Sequence, residues 1–271
     1  MQLELREIDD LGEFKLVTEL QREAWGMSDL DITPSHVLQA ASKTGGQVLG
    51  AYTADKQLVA FSLAFLGHDI TSARPYLLSH MVAVSPALQS KSVGYEIKLA
   101  QKQDALRRGI TLIKWTYDPL LSKNANLNLR KLGARVYTFL PNLYGEMRSD
   151  LYGSSFPSDR FEVSWDLTEP LPVEFPETAP QLIELQAGAP AVVKHNLTVR
   201  REALLCRVPL NHADIRKEDP ARALQWQAAI RQISTVLLNG SHVVCGFRIS
   251  MERDFGEYLF RPCSSITGAS L

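Results

Sequence analysis

The chain has 271 residues, enough for one large domain or two modest ones, and 45% of them are apolar, which supplies a buried core for each. A formal charge of −1 gives no whole-molecule field that would hold a nucleic acid or an anionic membrane, so neither is expected as a partner. The longest apolar stretch, residues 58–66, falls far short of the roughly 20 residues needed to span a bilayer.

In chain order, residues 1–7 are polar and acidic, without the basic start and apolar run of a secretory signal, which predicts a cytoplasmic protein. Leu16, Val17, Leu20 and Trp25 recur at helical spacing, and the Thr33, Pro34, Ser35 cluster opens a second short helix. At Gln47 the period changes: residues 48–52 and 58–65, separated by a polar turn, read as an antiparallel hairpin, and residues 76–84 as a third strand. Pro86 then precedes a helix of about 18 residues, with Val93, Ile97 and Ala100 on its buried face and Gly109 at its left-handed end. A strand over 111–117 and a short helix over 124–131, stopped by Gly133, follow. This order implies a mixed sheet with helices packed against it.

Five prolines from Leu167 to Pro190 disfavour helix and mark a linker, dividing the chain into residues 1–168 and 169–271. Beyond it, residues 192–208 look strand-like, and Asp219 and Pro220 supply an N-cap and first-turn proline for a helix ended by Gly240. Two strands, 242–250 and 256–260, close a second, smaller α/β module. Cys206, Cys245 and Cys263 are odd in number and widely spaced, so they read as core or surface thiols. His242 and Cys245, three apart on a strand, point to opposite faces and make no metal site; no metal is expected.

Chemistry concentrates where the strand Met81, Val82, Ala83, Val84 runs through Ser85 and Pro86 into Gln89, Ser90, Lys91, Ser92, Val93, Gly94 and Tyr95. A helix start offers free backbone N–H groups, and small residues let a pyrophosphate approach them. The pattern resembles the acyl-CoA loop of the GNAT acyltransferases, which reads Arg or Gln, two residues, Gly, one residue, Gly or Ala. Gln89, Ser92 and Gly94 fall on those positions, with Ser92 replacing the first glycine, so a torsion open only to glycine is not assured there. The resemblance continues through residues 114–120, residues 124–133, Tyr144 and Gly145, and Asp159, Arg160 and Phe161, and is to a bacterial branch of the superfamily with a C-terminal extension.

That resemblance implies an α/β (α+β) fold of GNAT type, a mixed, mostly antiparallel sheet flanked by helices, with an opening between strands 76–84 and 111–117. The pantetheine arm of acetyl-CoA, or of another acyl-CoA, would lie along Val82, Ala83 and Val84, and a backbone N–H there would polarise the thioester. Transfer to a small-molecule amine needs a group to take the amine's proton and another to protonate the thiolate. His80 and Asp118 are the candidates for the first. Leu129 stands where many GNAT enzymes carry the tyrosine acid, leaving Tyr137 or Tyr144 for the second. Lys91 is the candidate counter-charge to a phosphate, and Asn124 and Asn128, four apart, are candidates to reach the CoA amides. The implied function is N-acyl transfer, as a monomer or homodimer; the alternative is an acyl-CoA-binding sensor or assembly module without turnover.

Overall fold

A computed structural model describes residues 3–70, 72–89, 91–147, 156–169, 173–198, 202–250 and 254–265. By packing, these form two compact units: residues 1–115 with 166–168, and residues 116–165 with 169–271. The prolines divide the chain instead at 168 and 169.

The first unit contains strand β1 (Glu4–Glu7), helices α1 (Leu11–Trp25) and α2 (Ser35–Lys43), strands β2 (Gln47–Tyr52), β3 (Leu58–Asp69) and β4 (Arg74–Val84), helix α3 (Val93–Arg107) and most of strand β5 (Leu112–Tyr117). Its sheet runs β1-β2-β3-β4-β5, antiparallel except between β4 and β5. Strand alternation sorts the core into two layers. Val48, Tyr52, Phe61, Leu63 and Ala83 pack with Phe14, Val17, Leu20 and Leu38 of α1 and α2. Leu49, Ala51, Val59 and Ala60 pack with Val93 and Ile97 of α3.

Two details depart from the sequence expectation. Strand β1 is too short and polar to be read from its own pattern, and exists through pairing with β2. The helix of about 18 residues expected after Pro86 is 15 residues long, Val93–Arg107, preceded by a separate 3-10 turn, Pro86–Leu88, and by Ser92 at its N-cap in a left-handed backbone. Gly109 ends this segment at φ 73°, the left-handed position expected of it.

The second unit begins with α4 (Ser122–Ala125), which winds directly into a π-helix, Asn126–Lys131. Strands β6 (Arg135–Leu140), β7 (Glu146–Met147), β8 (Phe156–Pro157) and β9 (Arg160–Asp166) follow, then hairpin β10 (Ile183–Gln186) and β11 (Ala189–Val192), and β12 (Leu204–Pro209). Helices α5 (His212–Glu218) and α6 (Pro220–Leu237) and strands β13 (His242–Ile249) and β14 (Phe255–Pro262) complete it. Its main sheet is antiparallel in the order β9-β6-β13-β14-β12. Asp219 caps α6 as expected, its carboxylate accepting from the Arg222 N–H at 3.0 Å. The proline-rich stretch is more than a linker: it holds β10, whose Ile183 is buried, and a turn through Ala187 and Gly188 at positive φ. No described helix is long and apolar enough to cross a membrane.

Candidate functional site

In the first unit the expected donor-site residues follow one continuous path along β4, through the 3-10 turn and into the first turn of α3. On β4 the register against β3 slips: Leu63 faces Met81 but Ala64 faces Ser79, so His80 is the extra residue of a β-bulge. A bulge bends its strand and re-aims the side chain it carries. The His80 side chain is exposed on one side, and on the other its ring lies 5.5 Å from that of Phe65. That partial burial lowers its pKa and favours neutral imidazole.

Past the bulge, Val82, Ala83 and Val84 pair with Ser62, Phe61 and Ala60 of β3 along one edge. Along the other, β4 pairs with β5 only at Leu77 with Ile113 and Leu78 with Lys114. Residues 81–84 therefore keep a strand edge to which no described strand is paired in the first unit. Such an edge presents N–H and C=O groups to an extended ligand.

Gln89 is exposed, and its Nε2 donates to the Val84 carbonyl at 3.4 Å, tying the turn to the strand end. Lys91 is exposed, and Ser90 lies outside the described residues. Ser92 has φ 66° and ψ 3°, a conformation that costs a non-glycine residue about 1 kcal/mol. The torsion that a glycine would provide is thus present without the glycine. Its carbonyl accepts from the N–H groups of Tyr95 and Glu96 at 2.9 and 3.1 Å, starting the helix. The N–H groups of Val93 and Gly94 have no partner among the described residues. They stand at the positive end of a 15-residue helix. A Cβ on Gly94 would meet only Val84 Cγ2, at 4.0 Å, so its side-chain position opens onto free space. Orphan donors, dipole and open space together make an anion cradle. Val93 is buried and Tyr95 half-buried, fixing the turn to the core.

Lys98 escapes a reading by sequence, which assigned the buried face of α3 to Val93, Ile97 and Ala100. It is buried, and its Nζ donates to Ser79 Oγ at 2.8 Å. The available signal was its place beside Ile97, one turn after Gly94 on a helix already known to pack inward.

The remaining expected residues belong to the second unit. Asp118 Oδ2 accepts from Arg216 Nη2 at 2.6 Å and its Oδ1 from the Leu120 N–H at 2.9 Å, with both charged side chains largely buried. Tyr144 is exposed, with its hydroxyl 3.1 Å from Thr116 Oγ1 and the Arg160 guanidinium 5.4 Å from its ring centroid. Tyr137 is half-buried in β6. Asn124 and Asn128 are not presented alike: Asn124 is exposed and Asn128 buried, because the helix changes from α to π winding at Asn126, which alters the repeat on which a spacing of four depends. Leu129 is buried.

No known protein family matches the chain by sequence, and no curated protein does. Among solved structures the chain is similar to an N-acetyltransferase from Staphylococcus aureus Mu50, at 9% identity over 62% of this chain and 100% of that one, with a TM-score of 0.50. It is also similar to the ribosomal-protein-S18-alanine N-acetyltransferase from Escherichia coli, at 12% identity over 64% and 99%, TM-score 0.49. A third is the NatC complex bound to Gag peptide and CoA, at 13% identity over 62% and 100%, TM-score 0.48.

Proposed function

From the GNAT fold of this chain, a mixed α/β fold with a mostly antiparallel sheet flanked by helices, we propose that it is an acyl-CoA-dependent N-acyltransferase acting on the amine of a small molecule. Residues 1–168 form the acyltransferase domain in this reading, about the share of the chain that the Staphylococcus aureus structure covers, and residues 169–271 an accessory module. The observation that carries the reading is Ser92: a strained backbone torsion, held where it starts a helix, leaves the Val93 and Gly94 N–H groups without a partner among the described residues, in front of an open Gly94.

The chemistry follows from these groups. The α3 cradle and Lys91 take the donor's pyrophosphate, and the open edge of Val82, Ala83 and Val84 takes its pantetheine amides as an added strand would be taken. A neutral amine attacks the thioester carbonyl, and an N–H of residues 81–84 stabilises the oxyanion. His80, aimed by the bulge and kept neutral by partial burial, accepts the amine proton directly or through water. In the second unit, Asp118 has a structural part, since both carboxylate oxygens are committed, while Tyr144 keeps an exposed phenol.

Release of CoA thiol from acetyl-CoA, followed with a panel of primary amines, tests this. Turnover with at least one amine is expected. His80→Asn should lower kcat by about a hundredfold, a typical general-base contribution. Wild-type activity should fall on acidification below the ordinary histidine range, as the ring gains its proton.

A second reading is supported by Leu129, a buried aliphatic at the position where the resemblance places an acid: an acyl-CoA-binding module without turnover. Tight CoA binding with no thiol release for any amine would favour it.

A further inference from the structure

Lys98 lies on α3 one turn past Gly94 and is only 4% exposed. Its Nζ donates to Ser79 Oγ at 2.8 Å and stands 3.9 Å from the centroid of the Trp115 ring. An ammonium only donates, so the Ser79 proton must pass on to Gln101 Oε1, 3.1 Å away. Gln101 is fully buried, and its Nε2 has no partner among the described residues. No carboxylate among the described residues forms an ion pair with Lys98.

An apolar side chain would fill this place at lower cost, because a buried charge without a counter-charge is expensive. The placement indicates what Lys98 does. The last residues at which β4 and β5 pair are Leu78 and Lys114. The next residues on the two strands are Ser79 and Trp115, and Lys98 holds both. One residue further along β4 is His80, the bulge.

We propose that Lys98 is a positioning residue for the acyl donor: wedged between Ser79 and Trp115, it fixes the point at which β4 parts from β5, and with it the bulge at His80 and the open edge of residues 81–84. This inference rests on the donor-site reading above. Lys98 acts through Ser79 and Trp115.

Titration gives the idea a second readout. Burial alone pushes the Lys98 ammonium down to about 7. The titratable or charged groups on the elements around it are Glu4, Arg6 and Glu7 on β1, Tyr52 on β2, His68 and Asp69 on β3, Arg74, Tyr76 and His80 on β4, Lys114 and Tyr117 on β5, and Tyr95, Glu96, Lys102, Asp104, Arg107 and Arg108 along α3. None of them contributes to its shift. As pH rises through about 7, the ammonium that fixes the Ser79 hydroxyl is lost.

The test is CoA affinity by calorimetry from about pH 6 to about pH 9 for the wild type, Lys98→Met and Ser79→Ala. Ionisation of CoA itself is common to all three proteins. The wild type is expected to lose about tenfold more affinity across this range than Lys98→Met does. Lys98→Met should bind weakly throughout, and Ser79→Ala, a change of one hydroxyl that leaves the lysine in place, should share its flatter profile. If Lys98→Met does not fold, the wild type against Ser79→Ala decides alone. Profiles that coincide for the wild type and Ser79→Ala would overturn the role of Lys98 while leaving the donor site standing. A wild type that binds no CoA would remove the donor-site reading and this inference with it.

Discussion

Both units pair buried carboxylates with arginine, as Asp104 is paired with Arg107 and Arg108 in the first, but the first also buries a lysine that has no ionic partner among the described residues. In the second, every deeply buried carboxylate among the described residues meets arginine: Asp118 with Arg216, Asp159 with both Nε and Nη2 of Arg231 at 3.0 and 2.6 Å, and Glu257 with Arg248 and Arg207. In the first, Lys98 is buried against a hydroxyl and an indole face, and Ser92 sits in a strained torsion a short distance along the chain. A paired charge serves the fold, whereas local rules broken without compensation collect where a chain works. That comparison supports the proposal of a donor site in the first unit, while the ion pairs of the second hold its architecture.

The largest expected effect comes from breaking a pair. Arg216→Met strands the Asp118 carboxylate in the interior and should cost about 3–5 kcal/mol in urea denaturation. Lys98→Met, which removes a charge that has no ionic partner among the described residues, should be neutral or gain about 1–4 kcal/mol at neutral pH. Equal destabilisation by the two substitutions would dissolve the contrast between the units.

The pH dependence of that second value sharpens it. The folded pKa of Lys98, about 7, lies below its ordinary value of 10.5, so between these the unfolded chain binds a proton that the folded chain does not. Stability must rise with pH over this window through this group. The advantage of Lys98→Met over the wild type is therefore greatest below pH 7 and should shrink towards pH 10. A constant difference between the two denaturation curves from neutral to alkaline pH would count against a buried, titrating lysine. Smallest of all is Ser92→Gly, which relieves the left-handed strain but adds unfolded-state entropy, for a net gain of about 0.5 kcal/mol in the same assay.

How much of this was legible beforehand follows the range of the interactions. Strand alternation and helical period placed β2, β3 and β4, and the Asp219 and Pro220 signal placed the start of α6, because these depend on neighbours in sequence. The torsion of Ser92 was not legible, since a serine does not dictate positive φ and only the surrounding turn holds it there. Asp118 looked free in sequence because its partner stands 98 residues away. Lys98 looked ordinary because burial of one side of a helix depends on what covers it, and its two contacts come from strands on either side of it in the chain.

The central claim is that the start of α3 is an acyl-CoA cradle, and Gly94→Glu addresses it most directly. The nearest atom to an added Cβ is 4.0 Å away, so the fold should tolerate the change while a carboxylate enters the space assigned to phosphate. Calorimetric titration with acetyl-CoA and CoA should show binding by the wild type and its loss in Gly94→Glu, with both proteins unfolding at similar urea concentrations. Binding that survives in Gly94→Glu would place the ligand elsewhere, and a wild type that binds neither compound would leave the fold without the function proposed for it.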